Sequence, residues 1–140
     1  MPGRPPGTIK DPVMPRYCLV VLDTPLVAQD LALTLSELTG CVPITVARIE
    51  EAEEKLADLR PGALSYAFIH TDAAALRASR LRASAERLGA RMILLGHAAE
   101  VEAGEAAGEA EWPVLPQPFG PAQVAEMLQR CPPAPRAASD

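Results

Sequence analysis

The sequence is poor in aromatic side chains, with two Phe, two Tyr and one Trp among 140 residues. With 49% hydrophobic residues overall, such a chain builds an aliphatic core of Leu, Val, Ile and Ala packed between layers of secondary structure. Long apolar runs are also lacking. The longest, Tyr17 to Leu22, has the length of a strand rather than the ~20 residues that cross a bilayer. The opening stretch MPGRPPGTIKDP has no signal-peptide apolar core, so a soluble, cytoplasmic protein with no membrane partner is expected. Positive charge is in deficit: 13 Lys plus Arg stand against 18 Asp plus Glu, a net charge of -5. A phosphate backbone would be repelled at long range, which argues against nucleic acid as a partner. Cysteine is sparse and odd in number. Cys18, Cys41 and Cys131 form none of the C-x-x-C spacings of zinc or redox sites, and they read as buried or incidental thiols in a reducing compartment.

What is present is an alternation. Residues 1–15, with five prolines and two glycines, read as a flexible leader, and residues 131–140 (CPPAPRAASD) as a flexible tail. Between them, residues 16–130 hold short apolar runs separated by amphipathic stretches. Cys18 to Leu22 is a continuous run suited to a central strand buried on both faces. Thr24 and Pro25 then offer an N-cap and a first helical residue. Val27, Leu31, Leu35 and Leu38 follow at helical spacing up to Gly40. Further strands are predicted over Val42 to Ala47, Leu64 to Ile69, Met92 to Leu95 and Val114 to Leu115. Helices are predicted over Glu50 to Leu59, over Ala73 to Leu88, and after Phe119-Gly120-Pro121, where Val124, Met127 and Leu128 share a face. The glutamate-rich stretch of residues 98–111 reads either as a frayed helix or as an acidic loop. Strands alternating with helices imply an α/β fold: a doubly wound, five-stranded parallel sheet with helices on both faces.

In such a sheet, ligands gather outside the carboxyl ends of the strands. Those ends carry Asp23 and Thr24, then His70, Thr71 and Asp72, then Gly96 and His97, and finally Pro116, Gln117 and Pro118. The segments VVLDTPLVAQDLALTLSELTG, AFIHTD and LPQPF, in this order and spacing, resemble a response-regulator receiver domain of the chemotaxis, flavodoxin-like type. The resemblance covers about residues 17 to 130. It implies strand order 2-1-3-4-5 and a place in two-component signal transduction or a phosphorelay.

Receivers of that family take a phosphoryl group onto an Asp after strand three. An acidic pair after strand one holds Mg²⁺, a Ser or Thr follows strand four, and a Lys precedes Pro-Phe after strand five. This sequence matches the pattern at Asp23 and at Pro118-Phe119 and departs from it elsewhere. Leu22 replaces one carboxylate, removing a hard oxygen ligand for Mg²⁺. His70 stands at the acceptor position, where an aspartyl phosphate cannot form. Gly96 removes the hydroxyl, and Gln117 removes the cation that would clamp a phosphoryl oxygen. No nucleophile-and-base constellation or phosphate-cradling glycine loop stands elsewhere in the chain. These losses imply a pseudo-receiver: no enzyme and no cofactor, but a module that binds a protein partner, a signalling protein or a second copy of itself, without phosphorylation.

Three further features invite partners. Asp23, His70, Asp72 and His97 fall at neighbouring strand ends, and two imidazoles with a carboxylate can ligate Zn²⁺, which makes a metal- or small-ligand-binding sensor the alternative function. Arg77, Arg80, Arg87 and Arg91 share one side of the third helical stretch if that helix is continuous. In receiver domains the face built from the fourth helix, fifth strand and last helix commonly docks partners. Here it would include Glu105, Glu109, Leu115, Gln123, Met127 and Arg130.

Overall fold

The fold is described from a computed structural model, which covers residues 16–105 and 112–131. The expected leader, the tail beyond Cys131 and Glu109 lie outside the described residues. The elements run β1 (Tyr17–Val21), α1 (Pro25–Thr39), β2 (Val42–Val46), α2 (Ile49–Leu56), β3 (Leu64–His70), α3 (Ala73–Ala78), α4 (Arg80–Leu88), β4 (Arg91–Leu95), α5 (His97–Glu105) and α6 (Pro121–Arg130). The strands form a parallel sheet in the order β2-β1-β3-β4.

Alternation along each strand divides the core in two. Leu19 and Val21 of β1, Ala67 and Ile69 of β3, and Met92 and Leu94 of β4 pack with α2, α3, α4 and Trp112. Cys18, Val20, Phe68, Ile93 and Leu95 pack on the other face with α1 and α6. The α/β class and the helices on both faces are as the sequence predicts.

The fifth strand is the main departure. Val114 makes a single parallel bridge to Leu94, with Leu94 N–H donating to the Pro113 carbonyl at 2.9 Å and Leu115 N–H to the Leu94 carbonyl at 2.9 Å. The bridge occupies the place of a fifth strand but does not lengthen: Pro113 has no N–H to donate on the side facing β4, and the N–H of Gln117, the next to face β4 at the other end, donates to Glu100 instead. At the opposite edge, β2 is blunted by the same chemistry. Val42 N–H and the Val46 carbonyl turn toward β1, so Pro43 and Thr45 point their main chain outward, and only Thr45 brings an N–H.

Helix α1 begins at Pro25 and ends at Gly40, whose φ of 76° is left-handed and whose N–H donates to the Ser36 carbonyl at 2.8 Å. Thr24 is the N-cap by position, but its side chain makes no capping bond. The buried stripe is Ala28, Leu31, Ala32 and Leu35, whereas Val27 and Leu38 of the expected apolar face are 37% and 47% exposed. The small alanines let the helix lie close to the sheet, so they set the buried arc and rotate the larger Val27 and Leu38 out of it.

The expected helix from Ala73 to Leu88 is two helices. Ser79 is extended at φ -95° and ψ 160°, and both its N–H (3.0 Å) and its hydroxyl (2.8 Å) donate to the Leu76 carbonyl. This local bond closes α3 in place of the helical ladder. The row of arginines is therefore not one helix face. Arg87 instead reaches across to α2, donating to the carbonyls of Leu59 (3.3 Å) and Leu56 (3.4 Å), and Arg82 pairs with Glu86 at 3.3 Å.

Candidate functional site

The carboxyl edge is built from the ends of β1, β3 and β4 and the segment after the Val114 bridge. β1 ends at Val21, and Leu22 continues its line by donating its N–H to the Val46 carbonyl at 3.0 Å. That register sends the Leu22 side chain down among Val20, Leu31, Leu95 and Leu115, where it is 4% exposed. The position that would need a hard anionic ligand is thus part of the aliphatic core. Asp23, the next residue, is exposed.

His70 is the last residue of β3 and pairs with Leu95 of β4. One step beyond Leu95 is Gly96, buried and at φ 107°, a conformation that side chains with a Cβ rarely adopt. The His70 ring lies directly over this glycine: a Cβ at residue 96 would stand 2.9 Å from Nε2 and 3.0 Å from Cδ2. Strand pairing therefore puts an imidazole and a bare backbone against each other at the place where acceptor and hydroxyl would stand in a receiver.

Asp72 does not turn toward His70. Its Oδ1 accepts from Ala75 N–H at 2.7 Å and caps α3. His97 is the exposed first residue of α5. Among the described residues, no three His, Cys, Asp or Glu side chains come together in a way that could hold a metal ion. The structure does not bring Asp23, His70, Asp72 and His97 together as a ligand set, because neighbouring strand ends fix where residues stand along the edge and not a ligand geometry.

Gln117 is exposed, precedes Pro118 through a cis peptide, and donates its backbone N–H to Glu100 Oε2 at 3.0 Å. Glu102, two residues further along α5, accepts from Ala73 N–H at 2.7 Å. The start of the acidic stretch is helical, and two of its carboxylates tie down segments that flank the edge, one at the first residue of α3 and one in the loop before α6. Sequence reasoning missed these bonds because they span 29 and 17 residues, and spacing within the acidic run reports only on its own helix.

The residues expected on a partner face differ in exposure. Leu115 and Met127 are 1% and 3% exposed and belong to the core beneath α6, so neither is available to a partner. An apolar residue on a one-sided helix is claimed first by the sheet it covers. Gln123 is exposed, but its Oε1 accepts from Gly120 N–H at 2.8 Å at the start of α6. Glu105 and Arg130 are exposed.

Among the described residues, two groups titrate away from their ordinary values. Burial pushes the Cys18 thiol up from 9.0 to about 12, with the nearby Cys41 thiol adding to the rise. Burial also raises the Tyr66 phenol, assisted by Cys131 and Cys41 and opposed by Arg91 and Arg16. Neither lies at the carboxyl edge. Among the described residues, no helix is long and apolar enough to cross a membrane.

No protein-family model matches the sequence, and no curated protein matches it. Solved structures do. A pilus assembly protein CpaE from Caulobacter crescentus CB15 superposes with a TM-score of 0.58 at 18% identity, covering 86% of this chain and 97% of that one. The chemotaxis response regulator CheY4 of Vibrio cholerae gives 0.58 at 21% identity, covering 83% and 98%. A putative pilus assembly-related protein from Burkholderia pseudomallei K96243 gives 0.56 at 19% identity, covering 88% and 94%. At these identities the likeness is one of architecture, and the architecture is that of the response-regulator receiver domain.

Proposed function

We propose that this chain is a pseudo-receiver, a regulatory module that works by binding a protein partner or a second copy of itself and takes no phosphoryl group. The observation that carries the reading is the pair His70 over Gly96 together with a buried Leu22. Mg²⁺ demands an octahedral shell of oxygen ligands, and Leu22 supplies none. Phosphoryl transfer depends almost wholly on positioning and on neutralising charge at the transferred group. Here the acceptor carboxylate, one metal-binding carboxylate, the hydroxyl and the cation are each replaced by a group that cannot do that work. On this reading the chain is not an enzyme and needs no cofactor. The same architecture serves in a chemotaxis response regulator and in pilus assembly proteins, which supports a regulatory or assembly role. A cytoplasmic location follows from the proposal and agrees with the free thiols of Cys18, Cys41 and Cys131.

The test is direct. Incubation with acetyl phosphate and Mg²⁺, followed by intact mass measurement, should leave the mass of the protein unchanged, whereas stoichiometric addition of a phosphoryl group would overturn the proposal.

A further inference from the structure

Among the described residues, six large apolar side chains are exposed, and four of them, Leu26, Val27, Leu33 and Leu38, belong to α1. Leu26 and Leu33 are the most exposed of the six, at 79% and 59%. They stand seven residues apart, close to two helical turns, so they line up along the outer side of the helix about 10 Å from each other. Asp30 and Glu37 follow each leucine by four residues and form a second row beside the first. Both carboxylates are exposed, and neither is engaged by another group among the described residues. The 15 residues of α1 include no Lys or Arg. The outer side of α1 is therefore an apolar ridge edged by negative charge that nothing on the helix neutralises, where a surface helix ordinarily turns a polar face to water.

We infer that this ridge docks an amphipathic helix of a partner protein, one that carries Lys or Arg beside its apolar stripe. The inference rests on the reading of the chain as a binding module, and it names the surface used and the chemistry of the partner. A helix is the fitting shape. Two helices packed at a shallow angle meet at side chains that repeat every seven residues, the interval of both Leu26 to Leu33 and Asp30 to Glu37. The leucines supply the apolar contact. The carboxylates select the sign of the partner, since like charges across an interface are costly and opposite charges speed encounter and fix register. The same chemistry disfavours a second copy as the occupant: its α1 would bring further leucines, but also Asp30 and Glu37 and no cation, in a chain of net charge -5. The fold makes no claim on the ridge, because Leu31 and Leu35 fill the core side of the helix.

The probe is a fluorophore-labelled synthetic peptide of three heptads, with leucine along the seam and lysine at the flanking positions. A scrambled peptide of the same composition and a counterpart with glutamate for lysine serve as controls. Fluorescence anisotropy should show saturable binding of the lysine peptide, with both controls at least about tenfold weaker. Leu26→Gln and Leu33→Gln should each weaken it about tenfold, the size of one leucine no longer buried. Asp30→Asn with Glu37→Gln should weaken it about fivefold and flatten its dependence on salt. Glutamine keeps the helix propensity of leucine and both positions are exposed, so an unchanged urea midpoint confirms that the variants are folded. The proposal is overturned if the lysine peptide does not bind at about 100 μM, if either control binds equally, or if the double leucine variant keeps the parent affinity. A dimer of the protein alone that dissociates on Leu33→Gln in sedimentation would also overturn it, by giving the ridge to a second copy. Phosphoryl addition from acetyl phosphate would defeat the pseudo-receiver reading whatever the peptide does, and a failed peptide leaves that reading in place.

Discussion

Replacing Gly96 by alanine tests the geometry on which the functional reading rests. The substitution meets two separate obstacles. First, φ at residue 96 is 107°, and placing a Cβ on a backbone with positive φ costs about 1–2 kcal/mol. Second, the new methyl would stand 2.9 Å from His70 Nε2, so the imidazole must leave its seat, at a cost of about 1 kcal/mol for an off-rotamer or displaced ring. The expected destabilisation of Gly96→Ala is therefore about 2–3 kcal/mol. His70 is exposed, so His70→Ala alone should fall within about 0.5 kcal/mol of the parent. In the double variant the collision is gone and only the backbone cost remains, which leaves a favourable coupling of about 1 kcal/mol between the two positions. Urea denaturation of the four proteins, read as midpoints at constant slope, measures each term. Equal cost of Gly96→Ala in both backgrounds would show that the imidazole does not cover residue 96. A neutral Gly96→Ala would refute the left-handed backbone itself. The same argument covers Gly96→Ser: regaining the hydroxyl of an ordinary receiver at this position requires His70 to move first.

Three further outcomes follow from the packing. Glu102→Ala removes the acceptor of Ala73 N–H and should cost about 1.5–3 kcal/mol, as for other hydrogen bonds to a charged group, while Glu105→Ala, on the exposed end of the same helix, should stay within about 0.5 kcal/mol; equal effects in urea denaturation would show that the cross-element bond contributes nothing. The Cys18 thiol should resist a disulfide reagent in the native protein at neutral pH and react on unfolding. Its folded pKa of about 12 lies above its ordinary 9.0, so its contribution to stability is complete below pH 9 and is lost as the pH rises toward 12; a rise in stability over that interval would contradict the burial of the neutral thiol. Leu22→Asp places a carboxylate in the aliphatic core and should cost roughly 3 kcal/mol or more at pH 7, less at low pH where the carboxyl is protonated; a stable variant that binds Mg²⁺ would show that the edge needs only one side chain to regain a metal site.

The class of fold and the course of the first strand and helix were legible because each rests on local signals, while the strand order came with the receiver resemblance. The run Cys18 to Val21 can only be buried on both faces, and Gly40 stops α1 by its left-handed φ. What failed to show were choices settled between elements. Val27 and Leu38 fit the helical period as well as Leu31 and Leu35 do, and only the close approach of Ala28 and Ala32 to the sheet decides which pair is buried. Ser79 carries no Pro or Gly to announce a break, yet its hydroxyl bond to the Leu76 carbonyl ends α3. At the site, the residues at the strand ends were named correctly by position, but spacing could not say where their side chains turn. Asp72 turns to its own helix, Leu22 into the core, and His70 onto Gly96.

The two carboxylates of α5 bear on how such a module would act. A switch needs an element with two arrangements of nearly equal free energy, and a ligand or modification that binds one of them better. Around the carboxyl edge the first residue of α3 is tied to Glu102 and the loop before α6 to Glu100. Residue 96 is confined by its own backbone and by the His70 ring. Each is an intramolecular contact that would have to break before the edge could change shape, and no phosphoryl group is available in the proposed mechanism to offset the cost. On the proposed reading, these ties favour a single arrangement of the edge. The occupancy of the module is then set by the concentration and affinity of its partner, so regulation would have to act on the partner.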